Sequence, residues 1–482
     1  MIRSRNLHDA SQRNVHQCMP QFTIQHLTRR DTYKYLFNST LFGRTRNARG
    51  ASRPNLSFKP PYDKTFVLDL IDTAVTIMTR LLATLATFIR VLSAAVVLSC
   101  LVLSSPVLAG KTLGYYMSWA SDPSTINWTN LDIVFFAFAI PSGNSVVLND
   151  PPYDGPRLQA LFQGARQRGK KVVLSVGGWN NGGFSEQVQS QNSAAFIQSI
   201  KSIINQYGLD GIDIDWEYPN SPGVGHTYSP QDTANLQAFL PLLRTALGSK
   251  KIISMAVPQK PWLDANSQPS TNLTQAARAL SFVFIMNYDV AWHVVGSNAP
   301  YANKCGMDYI GAVESIQLWR NAGFTSSKIA LGVPFYGYNH ATTLSKISRK
   351  ASSSRSGTLA HSHSHVRSRS SEPAQQEKRA TAYTDMQPIN FNQLIADGSL
   401  VLNQTSGKWV GGGGYRRSWD SCSSTPFLTK SGSLVSYDDP HSIQLKGKLA
   451  ATKKLYGAGT WAIQMDYQGQ LMAALRAGLN SA

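Results

Sequence analysis

At 482 residues, 42% of them hydrophobic, the chain can form one large barrel with extras or two or three average domains, with a core to bury. Its formal charge of +19 invites a nucleic-acid reading, but residues 1–109 hold 14 Lys and Arg against 5 Asp and Glu, and 341–383 hold 8 against 2. The remainder carries only about +4, so the part that looks folded gives a nucleic-acid partner no support.

In chain order, residues 1–77 read as a disordered leader or a mis-assigned start, and 78–109 as a signal peptide. Val91 to Ala109 has no charged residue, follows Arg80 and Arg90, and ends in Val107-Leu108-Ala109, with the small-residue spacing of a cleavage site. The competing reading is a single-pass anchor, since about 19 apolar residues just span a bilayer. A membrane partner is expected only if 91–109 stays uncleaved. Asn127, Asn272 and Asn403 stand in Asn-x-Thr sequons, which fits passage through a secretory pathway.

Past Gly110, short apolar runs alternate with helical patterns. Strands are predicted at 112–117, 131–139, 170–177, 209–216, 251–257, 281–288, 328–335 and 457–465. Helices are predicted at 156–168, 193–206, 231–247, 307–321, 441–455 and 468–478. Eight apolar strands with intervening helices over 110–482 predict an α/β fold, a (β/α)8 TIM barrel. A doubly wound sheet is the alternative, without a glycine-rich phosphate loop to support it. An insertion separates strands seven and eight. Its first part, 341–382, is rich in Ser, Arg and His and has too little apolar surface to fold. His361, His363 and His365 in it read as solvated, not as metal ligands. The second part, 383–436, regains Trp, Tyr, Phe and Leu and is expected to form a small subdomain against the barrel mouth. Cys18 and Cys100 lie in segments expected to be lost. Cys305 and Cys422 are left as one possible disulfide or as two unrelated buried thiols.

The segment 209–219, LDGIDIDWEYP, carries the chemistry. Side chains alternate along a strand, so Asp213, Asp215 and Glu217 share one face while Ile212, Ile214 and Trp216 take the other. At about 3.3 Å per residue, neighbouring carboxylates sit roughly 7 Å apart. Three acids on one barrel wall repel one another, and at least one holds a proton near neutral pH. Glu217, last in the row, falls at the C-terminal end of the strand, where barrel active sites assemble, and suits a general acid. No histidine lies near to complete a metal set.

Asp210, Asp213, Asp215 and Glu217 spell Asp-x-x-Asp-x-Asp-x-Glu, and the segment resembles the catalytic signature of family 18 glycoside hydrolases, the chitinases. SVGGW at 175–179, MNYD at 286–289 and Trp461 in GTWAIQMD resemble that family's third-, sixth- and eighth-strand motifs. NAPYANKC at 298–305, WDSCSSTPF at 419–427 and SYDDPHS at 436–442 are similar to stretches of its secreted fungal members.

The resemblance implies hydrolysis of β-1,4 N-acetylglucosamine linkages in chitin or chitooligosaccharides, with retention and without a cofactor or metal. The sugar's own acetamido oxygen attacks its anomeric carbon. Glu217 is then the acid and later the base, and Asp215 holds the acetamide. Asp213 shares a proton with Asp215, and Tyr288 hydrogen-bonds the acetamide. Trp461 is expected to floor the cleaved sugar. Trp179, Tyr115 and Phe138 are expected to line neighbouring subsites, with barrel packing the alternative for Phe138. Met286 and Asp289 are expected to touch the sugar on the strength of the MNYD match. The protein is expected to be a monomer, secreted or in a cell wall. The rivals are a chitin-binding lectin, an endo-N-acetylglucosaminidase acting on glycoproteins and, last, a nucleic-acid binder.

Overall fold

The computed structural model describes residues 64–103, 110–291, 294–349 and 386–481, which divide into two units near Ser104. The first is a 40-residue helix, α1 (Lys64–Leu103). It contains neither Gly nor Pro and runs unbroken through Met78, so the boundary expected there has no counterpart in local structure. Leu68–Ser93 within it is long and apolar enough to cross a membrane. The expected leader lies outside the described residues up to 63, as does the expected cleavage site at 104–109.

The second unit is a barrel. Its strands are β1 (Lys111–Met117), β2 (Ile133–Ser142), β4 (Lys171–Gly177), β5 (Gly211–Asp215), β6 (Ile252–Val257), β7 (Phe282–Met286), β8 (Ile329–Pro334) and β16 (Gly457–Trp461). All eight pair in parallel, and β1 bonds to both β2 and β16, which closes the ring. The chain is therefore a (β/α)8 barrel. A short strand not foreseen in the sequence, β3 (Ser145–Leu148), folds back on β2 through a turn at Gly143.

The outer ring includes α2 (Pro151–Arg166), α3 (Ser190–Tyr207), α4 (Asp232–Leu247), α5 (Thr274–Ala279) and α6 (Ala312–Asn321). Helix α2 starts five residues earlier than predicted because Pro151 and Pro152 occupy its first turn, where a missing N–H costs nothing. Helix α6 starts five later than predicted. The Glu314 carboxylate accepts from the N–H groups of Asn303 and Gly311, and the Asn303 side chain accepts from Met307 N, which holds 303–311 as a loop.

Alternation along the strands sorts the side chains as expected. Ile212, Ile214 and Trp216 pack outward with Phe196, Leu236 and Phe239 of the helices. Leu113, Phe135, Val173, Phe282, Phe284 and Ala330 fill the interior. At the N-terminal rim, the Asp210 carboxylate accepts from Val172 N at 2.9 Å and the Asp132 carboxylate from Thr112 N at 2.9 Å. The first acid of the motif thus ties strand entrances together, far down the barrel from Glu217.

Between β8 and β16 the insertion builds a five-stranded antiparallel sheet. Its strands are β9 (Tyr336–Ala341), β10 (Met386–Asn390), β13 (Arg416–Asp420), β14 (Thr425–Lys430) and β15 (Ser433–Ser436). Helix α7 (Phe391–Ala396) and the hairpin of β11 (Leu400–Asn403) and β12 (Lys408–Gly411) complete it. The predicted bounds need correcting at the front. Strand β9 belongs to the subdomain and lies between β10 and β15, although it precedes 383. Residues 341–349, assigned to the unfolded tract, also pack: Ile347 is buried with Phe427 and Leu434, and Tyr309 donates to Ser348 O. The rest of that tract, with its three histidines, lies outside the described residues. Cys305 and Cys422 form a disulfide that joins the loop after β7 to the insertion. Helices α8 (Pro440–Thr452) and α9 (Gln470–Leu479) close the barrel on either side of β16.

Candidate active site

At the C-terminal mouth of the barrel, β5 presents its acids in a row that rises from fully buried to nearly so: Asp213 is 0% exposed, Asp215 4% and Glu217 7%. Asp213 accepts three hydroxyl hydrogen bonds, from Tyr115 at 2.8 Å, Ser175 at 2.9 Å and Ser254 at 2.7 Å. These come from β1, β4 and β6, so Asp213 is a hub at the base of the row. Burial raises its carboxyl above the usual range, and the three hydroxyls hold that rise back.

Asp215 stands above it under different terms. Its Oδ1 is buried with no hydrogen-bond partner among the described residues. Burial, then the neighbouring charges of Glu217 and Asp213, push it well above the ordinary carboxylate range. For Glu217, burial pushes the carboxyl up to about 8; the Tyr218 hydroxyl acts against the rise and the charge of Asp289 adds to it. Glu217 is therefore a neutral acid at pH 7, which is the state that can give a proton away.

The glycines of SVGGW explain how the β4 loop reaches this row. Gly177 (φ +111°) lies so close to β5 that a Cβ would come 2.3 Å from the Asp215 carbonyl oxygen. At Gly178 (φ +87°) a Cβ would come 2.8 Å from the Phe138 ring. Only glycine fits at either position. Trp179, next in line, is buried against Tyr218 with ring centres 6.5 Å apart, and its carbonyl bonds the His226 ring at 3.0 Å.

An aromatic wall faces the acids. Trp461 stacks on Phe138 at 5.5 Å and 18°, and Tyr115 is tilted beside it at 5.5 Å. Trp119, 6.1 Å from Phe138 and 6.5 Å from Trp461, extends the wall into solvent and is 37% exposed. It was not foreseen, although it follows β1 by only two residues. The peptide bonds Ala137–Phe138, Glu217–Tyr218 and Trp461–Ala462 are cis, each beside a site residue.

Tyr115 needs correcting. Expected to line a subsite, it is 1% exposed and gives its hydroxyl to Asp213, which places it beneath the acids as a support.

On the third side, β7 ends in Met286, with Tyr288 and Asp289 just beyond, all buried. Burial first, and then the neighbouring Asp215, Glu217 and Asp289, push the Tyr288 hydroxyl well above its usual range and keep it protonated. Asp289 Oδ1 accepts from Tyr336 and Tyr338 at 2.6 Å each, and its N–H donates to Asn298 at 2.8 Å. Gln259 Nε2 donates to the carbonyls of both Met286 and Tyr288. Of these four partners only Asn298 stood in a stretch marked by the sequence, as the first residue of NAPYANKC. Tyr336 and Tyr338 come from β9, so the insertion takes part in shaping the mouth.

A row of buried acids, all with raised proton affinity, opposite an indole and beside a phenol, suits cleavage of an acetal whose leaving oxygen needs a proton.

Comparison with known proteins gives the family. The sequence model for glycosyl hydrolases family 18 matches residues 111–466. Two proteins named chitinase-like effector are similar. That of Moniliophthora roreri is 29% identical over 79% of this chain and 96% of its own, and that of Moniliophthora perniciosa 30% over 76% and 86%. A crystal structure of a chitinase from Rhizomucor miehei superposes with a TM-score of 0.63 at 30% identity, covering 76% of this chain and 99% of that one. With its barrel, its acid row and a family match over most of its length, the chain belongs to family 18 of the glycosyl hydrolases, the chitinase family.

Proposed function

We propose that the protein hydrolyses β-1,4 N-acetylglucosamine linkages in chitin and chitooligosaccharides with the substrate's acetamide as nucleophile. The observation that carries this reading is Asp215 Oδ1, a buried acceptor with no donor among the described residues, two residues from a protonated Glu217. An acetamide N–H meets that oxygen's need, and the carboxylate offsets positive charge as the ring closes. Asp213, two residues back, can take up the proton that Asp215 gives up. Tyr288 steadies the acetamide, Trp461 lies under the sugar face, and Glu217 protonates the leaving oxygen before drawing a proton from water.

The test is release of soluble oligosaccharides from colloidal chitin set beside glycan release from a high-mannose glycoprotein. Release from the glycoprotein alone would replace the proposed substrate with a protein-linked glycan.

The rate should also depend on pH in one direction that follows from Glu217. Its proton is present below about 8 and lost above. Hence kcat/KM on a soluble chitooligosaccharide should fall as pH rises through that value; a limb that instead rises would remove Glu217 as the acid.

A second reading, a protein that holds chitin without cutting it, gains from the name chitinase-like effector borne by the two Moniliophthora relatives. Against it stand Glu217, Asp215 and Tyr288, which a binder does not need together.

The place of action is read as outside the cell or in its wall, after cleavage following Ala109, with an anchor through the apolar segment as the alternative. N-terminal sequencing of the exported protein checks this: a start at Gly110 supports cleavage, and a start upstream of Leu68 supports the anchor.

A further inference from the structure

On the far side of the loop that carries Trp119 there is a cavity of about 290 Å³. Leu131, Phe335, Ile463 and Met472 give it an apolar floor, interrupted by the Asp466 carboxylate, and Ser121, Thr125, Asn130, Gln464 and Gln468 add polar groups around it. That is at the lower end of the ~300–1,000 Å³ of small-molecule sites, room for a single sugar unit and not for a chain. Asn127 also lines it, exposed, in the sequon Asn127-Trp128-Thr129.

The orientation of the Asn127 amide matters. Its Oδ1 accepts from Thr129 N at 3.1 Å, and its Nδ2 is left without a partner among the described residues. Nδ2 lies over Gly469, another cavity residue, where even a methyl group would come within 2.5 Å of it. The atom that would carry a glycan is thus directed across the mouth of the cavity, and the facing residue has no side chain. Asn272 and Asn403 make the same turn with Thr274 N and Thr405 N. Asn272, however, borders a wider depression of about 590 Å³ lined by Gln237, Thr274, Gln275 and Arg278, with no apolar floor.

We propose that Asn127 carries an N-linked glycan whose first N-acetylglucosamine seats in this cavity, with its acetamido methyl and one ring face on the apolar floor. The proposal rests on the reading that the protein is exported. The sugar would brace the loop from Ser118 to Asn130, whose other side offers Trp119 to the catalytic mouth. Gln464 joins the two sides, since it lines the cavity and its amide clamps both the N–H and the carbonyl of Met117.

The test uses the full chain secreted from a eukaryotic host behind that host's own export signal. Glycan occupancy is read by peptide mass spectrometry, and release by an amidase that cuts the Asn–sugar bond is timed on native and denatured protein. The seat predicts occupancy at Asn127 and native release at least tenfold slower than release after denaturation, while any glycan at Asn272 or Asn403 is freed quickly in both. Ala120→Phe, which fills the cavity from an exposed position, should restore fast native release at Asn127. Occupancy at Asn272 or Asn403 with Asn127 bare overturns the seat and leaves export standing, as does equally fast native release at Asn127. Three bare sequons overturn the seat together with the export reading.

Discussion

Replacing Glu217 with Gln should lower turnover at least ~10²-fold, the usual size of a general acid's contribution, while the protein still folds and still binds polymer. The amide has the shape of the acid but no proton to give to a leaving oxygen. Folding is safe for a reason the site itself supplies. Burial raises the Glu217 carboxyl from its ordinary 4.5 to about 8. The folded chain therefore keeps a proton that the unfolded chain releases across that interval. The contribution of Glu217 to stability is full below about 4.5 and is lost as pH climbs through 8. Gln at 217 has no such loss. The melting temperature of Glu217→Gln, measured against the parent, should therefore improve between pH 4 and pH 8. An inactive variant that also melts early at pH 8 would mean the substitution broke the fold instead of the chemistry. Near-normal hydrolysis would remove Glu217 from its role.

Asp215→Asn should cost ~10²–10³ in kcat, the range found when one preorganised electrostatic partner of a transition state is removed. The reason lies in contrast with Asp213. Asp213 spends both oxygens on three hydroxyls of the barrel wall, so its work is internal. Asp215 has an oxygen with no donor to accept from among the described residues. A buried acceptor left in that state costs about 1–3 kcal/mol unless something arrives to satisfy it. An amide at 215 keeps the volume but cannot offset positive charge, so KM should move little while kcat falls. A loss seen mainly in KM would make Asp215 a binding group and not a stabiliser of the reacting ring.

Much of the mouth could be read from residue pattern alone, and the reasons are local. Strand alternation is a rigid rule, so the side on which Asp213, Asp215 and Glu217 sit follows from their spacing. The barrel follows from eight apolar runs whose ends the structure shifts by a few residues. What could not be read depends on contacts between segments far apart in the chain. Asp289 meets Tyr336 and Tyr338 only because β9 leaves the barrel to join a second sheet, and no periodicity marks that departure. Tyr115 looked like a rim residue because its height in the barrel depends on the stagger of neighbouring strands. Ile347 sits in polar surroundings in sequence, and only Phe427 and Leu434, about 80 residues on, give it a place to bury. Trp119 lies past the end of a strand, where alternation stops being a guide, so no pattern in the sequence marks it.

The account turns on whether the sugar supplies its own nucleophile. The direct measurement is to incubate the protein with a fully N-acetylated chitooligosaccharide and with its de-N-acetylated counterpart of equal length, and follow the products by mass and anomeric configuration. The acetylated chain should be cut, with the β-anomer released first, and the deacetylated chain should be left whole. Comparable cleavage of both, or first release of the α-anomer, would contradict it.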